Sequence, residues 1–317
     1  MNNSVDKSRV LALLTLGLAA VSTAAVLVRL AGRSIPGDLG LDGLSVEDSL
    51  AIAFWRITLA SLLLAPIWLN RQRRRDLALL PGDHKLRLIS GGLLLGLHFA
   101  LWLASLAYTS VASSVLLVTT TPIWVALFSP LIVGEKSSRR SWLGIGIALL
   151  GALIVAFKPS SEHSTNALLG NALALGGALA ASGYLMLGRR VRQSLGFLTY
   201  TGATLASAWC VLAAAVAVLG IAISGYPAQV WMLLLLMALV PQLLGHGSLT
   251  YVLRWVGAEV VAAVLLGEPI GAALLAWLML GEVPGPSVWL GGPLLIAGLA
   301  VVLSGGITRP PAVEPQG

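Results

Sequence analysis

The sequence predicts an all-α membrane protein of ten transmembrane helices, built as two inverted five-helix repeats. Three observations carry this prediction. The 317-residue chain is 57% hydrophobic and only 10% charged, whereas soluble domains hold about 25% charged residues. Its apolar residues fall in blocks of about 20, the length needed to cross a hydrocarbon core of about 30 Å. One pattern of Pro, Gly-Glu and Trp also occurs twice at a constant offset.

The first span, 9–32, follows Lys7 and Arg9 and is too long for a signal-peptide core. The second, 49–69, comes after an acidic loop with Asp38, Asp42, Glu47 and Asp48, and it carries Phe54-Trp55-Arg56. A basic loop near 70–87 leads to the third span, 86–107. A tight hairpin around Tyr108 then opens the fourth, 111–133, which contains Thr121-Pro122. The fifth, 140–157, closes the first half. The sixth and seventh are 167–190 and 196–222, and the eighth, 229–252, holds Pro241, Gln242 and His246. A hairpin around Gly257 opens the ninth, 257–280, with Glu268-Pro269. The tenth, 287–305, precedes a Pro-rich tail, 307–317, expected to be disordered on the cytoplasmic side.

Charge sets the expected orientation. With a cytoplasmic N-terminus, 16 of the 20 Lys and Arg residues fall on the inner side, Arg71 to Arg75, Arg189, Arg190, Arg192 and Arg254 among them. The positive-inside rule therefore predicts a multi-pass protein of the bacterial inner membrane with both termini cytoplasmic. The same placement explains the formal charge of +7 without a nucleic-acid partner. The lone Cys210 excludes an internal disulfide and a multi-Cys metal site, and no P-loop is present. Neither a cofactor nor a metal is expected.

The repeat is read by setting TTPIWVALFSPLIVGEK (120–136) under GEPIGAALLAWLMLGEV (267–283). Pro122 falls on Pro269, Glu135 on Glu282, Trp142 on Trp289 and Gly151 on Gly298, while His98 falls within one residue of His246. The halves are 1–160 and 161–306. Because five is odd, the second half enters the membrane from the opposite side, the plan by which many secondary transporters build a midplane site.

This pattern of x-Pro, an apolar run, Gly-Glu, Trp-x-Gly and a Gly-rich last helix resembles the EamA-type permeases of the drug/metabolite transporter superfamily. Phe54-Trp55-Arg56 is similar to that family's aromatic-aromatic-Arg signature. The resemblance covers essentially the whole chain. It implies ten helices, a central cavity and export of metabolites, amino acids among them.

The candidate site starts at Glu268, nine residues past Glu259, or about 13 Å deep at about 1.5 Å per residue. A charged carboxylate facing lipid at that depth costs at least about 2.5 kcal/mol, so it faces protein, faces a wet cavity or is protonated. Pro269 lacks an N–H and frees the carbonyl of Leu265, and Pro122 likewise frees that of Val118. Two kinked helices and one carboxylate form a wall suited to an ammonium group. Alternatively, Glu268 is a satisfied part of a structural kink.

His98, Trp102 and Ser105 share a helix face and can line a cavity. Gln242 and His246, near a kink at Pro241, join Thr121 and Tyr184 as further candidate substrate contacts, although a membrane histidine also serves as an interhelical hydrogen-bond partner. Arg56, Glu135 and Glu282 read as structural charges, with Arg56 snorkelling outward or anchored on helix-end carbonyls. Trp55, Trp124 and Trp277 read as packing residues. The expected function is a secondary active or facilitative exporter of small amphipathic metabolites, amino acids foremost, working by alternating access. Its partners are the substrate, the lipid bilayer and protons if Glu268 or His98 couples transport to them. The alternatives are a carrier of a different metabolite or lipid, or a membrane enzyme or accessory subunit acting on lipid at the inner face near Arg254 and His246. Enzyme chemistry has little support, since no Ser/His/Asp grouping is visible.

Overall fold

The computed structural model describes residues 7–35, 44–132, 138–157, 166–253, 255, 261, 264–265 and 267–304. The secondary structure among them is helical. Seven helical segments of the described residues are long and apolar enough to cross a membrane, and three shorter apolar helices cover 142–155, 268–280 and 286–298.

Helices α1 (Lys7–Ser22) and α2 (Ala24–Arg33) form one apolar segment, and α3 (Val46–Leu64) starts at an N-cap where Ser45 accepts from the Asp48 N–H. The basic stretch read as a loop contains a short helix, α4 (Arg71–Leu79). Asn70 Oδ1 accepts from the N–H groups of Gln72 and Arg73, and such a cap satisfies donors that a short helix otherwise leaves to water. Next come α5 (Gly82–Ser105), α6 (Val111–Val118), α7 (Thr121–Ile132) and α8 (Arg139–Phe157).

The fourth span is thus two helices rather than one kinked rod. Pro122 cannot donate, and three successive threonines take over the carbonyls at the break. Thr119, Thr120 and Thr121 donate their hydroxyls to Leu116, Leu117 and Val118 at 3.0, 2.7 and 3.0 Å. Irregular backbone at membrane depth is tolerated only with such internal partners.

The remaining elements are α9 (Ala167–Ser194), α10 (Phe197–Val218), α11 (Ala228–Met237), a π-helical segment (Ala238–His246), α12 (Gly247–Val252), α13 (Glu268–Leu280) and α14 (Pro286–Ser304). The kink expected at Pro241 takes the form of this π-helical segment. Pro269 sits in the first turn of α13, where a missing N–H costs nothing. α13 ends on Gly281 at φ 72°, a left-handed cap that favours glycine. The Glu282 carboxylate then accepts from the Val111 N–H at 2.6 Å, so half of the repeated Gly-Glu motif caps the start of α6. Glu135, Arg254, Glu259, the Gly257 hairpin and the tail lie outside the described residues.

The helices α8 and α14 cross closely along glycines. A Cβ on Gly291 would meet the Gly151 carbonyl at 2.6 Å, and one on Gly298 would strike the Ala148 backbone. Small residues at such crossings let backbones approach where no hydrophobic driving force separates helix from lipid. Elsewhere α5 packs on α9 and α10, α1 packs on the π-helical segment and α12, and α3 packs on α10 and the π-helical segment. α9 also meets α6 and α7, as α13 meets α1 and α2. Large apolar side chains such as Leu131, Leu143, Trp277 and Leu278 lie on the outside, a continuous apolar surface that water would not tolerate and lipid does.

Candidate functional site

A cavity of about 70 Å³ lies where α5, α9, the α6–α7 break, the π-helical segment, α12 and the start of α13 converge. A water needs roughly 10–15 Å³ by this measure, so the space admits several. Glu268, His98, Trp102, Thr121, His246 and Tyr184 all line it, with Pro122. Gln242 lines a smaller adjoining space of about 20 Å³ instead, beside Tyr200, Thr201 and Thr204. The two spaces share Leu95, Tyr184, His246 and Thr250.

Local geometry sets what each group offers. Glu268 stands in the first turn of α13 and is half-buried, where the helix N-terminus favours a negative charge. His98 Nδ1 is 3.0 Å from the Gly177 carbonyl, which the ring N–H reaches when the proton is on that nitrogen. The His98 ring stacks on Trp102, with centroids 5.9 Å apart and planes 13° apart. Trp102 is buried and its Nε1–H has no hydrogen-bond partner among the described residues. His246 sets its ring edge-on to Phe99 at 5.5 Å. Tyr184 and Thr250 hydroxyls lie 3.3 Å apart, and Thr201 Oγ1 is buried without a partner among the described residues.

Several expectations change here. Ser105 does not continue the His98–Trp102 stripe into the cavity, because its hydroxyl lies 2.6 Å from Ser114 Oγ and donates to the Trp102 carbonyl. The carbonyl of Val118 is taken by Thr121 rather than left for a ligand. Trp55 and Trp124 pack against the core as expected, with Trp55 donating to the Ile223 carbonyl and Trp124 to Thr120, whereas Trp277 is 55% exposed rather than packed in a core.

Arg56 neither snorkels nor binds helix-end carbonyls. It is fully buried, its Nε donates to Gln242 Oε1 at 3.0 Å, and its guanidinium lies 4.5 Å from the Phe99 ring centre. The π-helical segment places Gln242 to meet it, and this partner is invisible in the linear order. Thr250 and Tyr200 were not singled out from the sequence. Thr250 was within reach, since it lies one helical turn beyond His246 and so shares its face.

The chain matches the EamA-like transporter family over residues 11–157 and again over 168–304. It belongs to the EamA-like transporter family. The match spans both sides of the cavity, and this EamA-like chain is therefore a multi-pass membrane transporter. It is 28% identical over 278 residues to an uncharacterized transporter, YdfC, of Bacillus subtilis (strain 168), covering 86% of this chain and 87% of the relative. It is 25% identical over 275 residues to a probable terminal-alkyne amino-acid exporter of Streptantibioticus cattleyicolor, covering 83% and 86%. A solved crystal structure shares the fold at a TM-score of 0.65 and 16% identity, covering 94% of this chain and 98% of that one. Within this EamA-like fold, the apolar wall, one carboxylate and a His–Trp stack can hold a small molecule with a cationic end and an apolar body.

Proposed function

We propose that this EamA-like protein is a secondary transporter that exports small amphipathic metabolites, amino acids foremost, by alternating access. The observation that carries the reading is Glu268 at the wall of a cavity that the His98–Trp102 stack and several aliphatic side chains also line. A carboxylate suits the ammonium of such a substrate, and the aromatic and aliphatic surfaces suit its side chain. The name of the amino-acid exporter relative agrees with this substrate class.

The reading extends to the architecture. Ten crossings form two halves, 1–160 and 161–306, related by inverted topology, with a tail at 307–317. Matched span for span in chain order, first with sixth and third with eighth, the packing of α5 on α9 has a counterpart in that of the π-helical segment and α12 on α1. The packing of α5 on α10 is likewise matched by that of the π-helical segment on α3. Inverted halves of this kind expose a shared site to either face in turn. The protein sits in the bacterial inner membrane with both termini cytoplasmic, as the distribution of Lys and Arg predicts.

Counterflow in liposomes holding only the purified protein tests the function. Vesicles preloaded with unlabelled amino acids and given trace labelled leucine outside should accumulate label, and excess unlabelled leucine should abolish it. No accumulation by folded protein across the amino acids would overturn the substrate class. Imposing a pH gradient on the same vesicles tests proton coupling through Glu268 or His98, which flux independent of the gradient would exclude.

A further inference from the structure

Arg56 heads the fully buried side chains of the described residues by volume. Among the described residues its Nε alone is hydrogen-bonded, to Gln242. Nη1 and Nη2 are buried and have no hydrogen-bond partner among the described residues. Arg56 and Glu268 form no ion pair among the described residues. Phe99 and Trp102 cover the guanidinium at 4.5 and 5.9 Å. Cation–π contacts of this sort soften the burial of a charge without accepting its N–H donors.

A guanidinium inside a membrane bundle is ordinarily paired with an acceptor. Its two terminal nitrogens form a fork that matches the two oxygens of a carboxylate. The fork also has a definite place. Gln242 lines the smaller space, Trp102 lines the larger one, and Phe99 leans on His246, which lines both. Arg56 therefore sits one side chain behind the wall at their junction.

We propose that Arg56 is the carboxylate-recognition residue of the transporter, pairing Nη1 and Nη2 with a substrate carboxylate while Glu268 takes the ammonium. This rests on the amino-acid reading above and sharpens it. The accepted species is the zwitterion, and an amine or amide lacking the carboxylate is discriminated against. In the state described, Phe99 and Trp102 cover the guanidinium, so this aromatic cover turns aside as the pair closes.

The test measures binding of leucine and of leucinamide to the purified full-length protein by ligand-induced thermal shift, in wild type, Arg56→Gln and Arg56→Lys. Wild type should bind leucine at least about tenfold more tightly than leucinamide, the lower end of the cost of leaving buried donors unpaired. Arg56→Gln should weaken leucine at least about tenfold and change leucinamide less than about threefold. Arg56→Lys keeps the charge without the fork. It stands in if the glutamine variant does not fold, and it should lose several-fold for leucine alone. Equal weakening of both ligands, or of neither, would reduce Arg56 to a structural role and overturn the proposal while the amino-acid reading stands. Wild type that binds neither ligand and fails in counterflow would remove the amino-acid reading and this proposal together.

Discussion

The two halves contain the same backbone device, and they use it differently. In the first half Thr121 precedes Pro122 where α6 gives way to α7, and in the second Glu268 precedes Pro269 where α13 begins. Both positions border the cavity. The threonine hydroxyl turns back to the Val118 carbonyl, with the Ala178 carbonyl at 3.4 Å, and so it is consumed by the fold. No side-chain bond of this kind draws the glutamate back into its own half among the described residues. The Thr-Pro and Glu-Pro pairs each place a helix start at the cavity, and of the two residues before the prolines Glu268 is the one that can carry a charge. The histidines differ in the same way. His98 is tied to Gly177 and stacked on Trp102, whereas His246 sits at the end of the π-helical segment and faces both spaces.

The largest effect expected from this contrast is at Glu268. Glu268→Gln should lower leucine counterflow at limiting substrate by about 30-fold, within the 1.5–3 kcal/mol expected for a hydrogen bond to a charged group. Moving the carboxylate across the cavity, with Glu268→Thr and Thr121→Glu together, should fail to restore it. Recovery of flux in that double variant would break the asymmetry argument.

A change remote from the cavity should separate folding from recognition. Gly298→Leu drives a side chain into the Ala148 backbone at the α8–α14 crossing and should cost about 2–3 kcal/mol of stability. A large drop in melting temperature is expected, with the ratio of leucine to leucinamide affinity in the surviving folded protein unchanged. An altered ratio would show that the crossing communicates with the site.

The histidines come next in size. His246→Gln should raise the half-saturating leucine concentration about fivefold with little change in melting temperature. His98→Gln should do the reverse, losing roughly 1 kcal/mol of stability with its carbonyl bond and stack. Concentration series of counterflow and thermal melts on both variants would reveal an exchange of these roles. The smallest effect is at Thr121. Thr121→Ser should match wild type, and Thr121→Val should destabilise by about 1 kcal/mol by leaving a buried carbonyl short of a donor, with counterflow within about twofold.

Much of the fold could be read along the chain. Apolar blocks of membrane length located most of the helices, and prolines marked both breaks at the cavity because a missing N–H is a local covalent fact, although along the chain they read as kinks within spans rather than as helix starts. A glutamate in a hydrocarbon run stood out as a candidate by its cost alone, and it lines the cavity. The helix over 71–79 was missed because its polar sequence looked like loop, although Asn70 at its head was a legible cap. The split of the fourth span was harder to see, since threonine reads equally well as a helix residue until its hydroxyl is placed on a carbonyl.

What a single sequence could not supply is azimuth. A helix that is apolar all round has no polar stripe to say which face meets the cavity and which meets lipid. Depth follows from counting residues, but rotation follows from packing, and here packing depends on glycine contacts between distant helices and on a π-helical segment that re-aims Gln242. Arg56 shows the division most clearly. Its place in the middle of a span was plain from the sequence, while its lack of exposure, its bond to a residue 186 positions away and its idle donor fork exist only once α3, α5 and the π-helical segment are brought together.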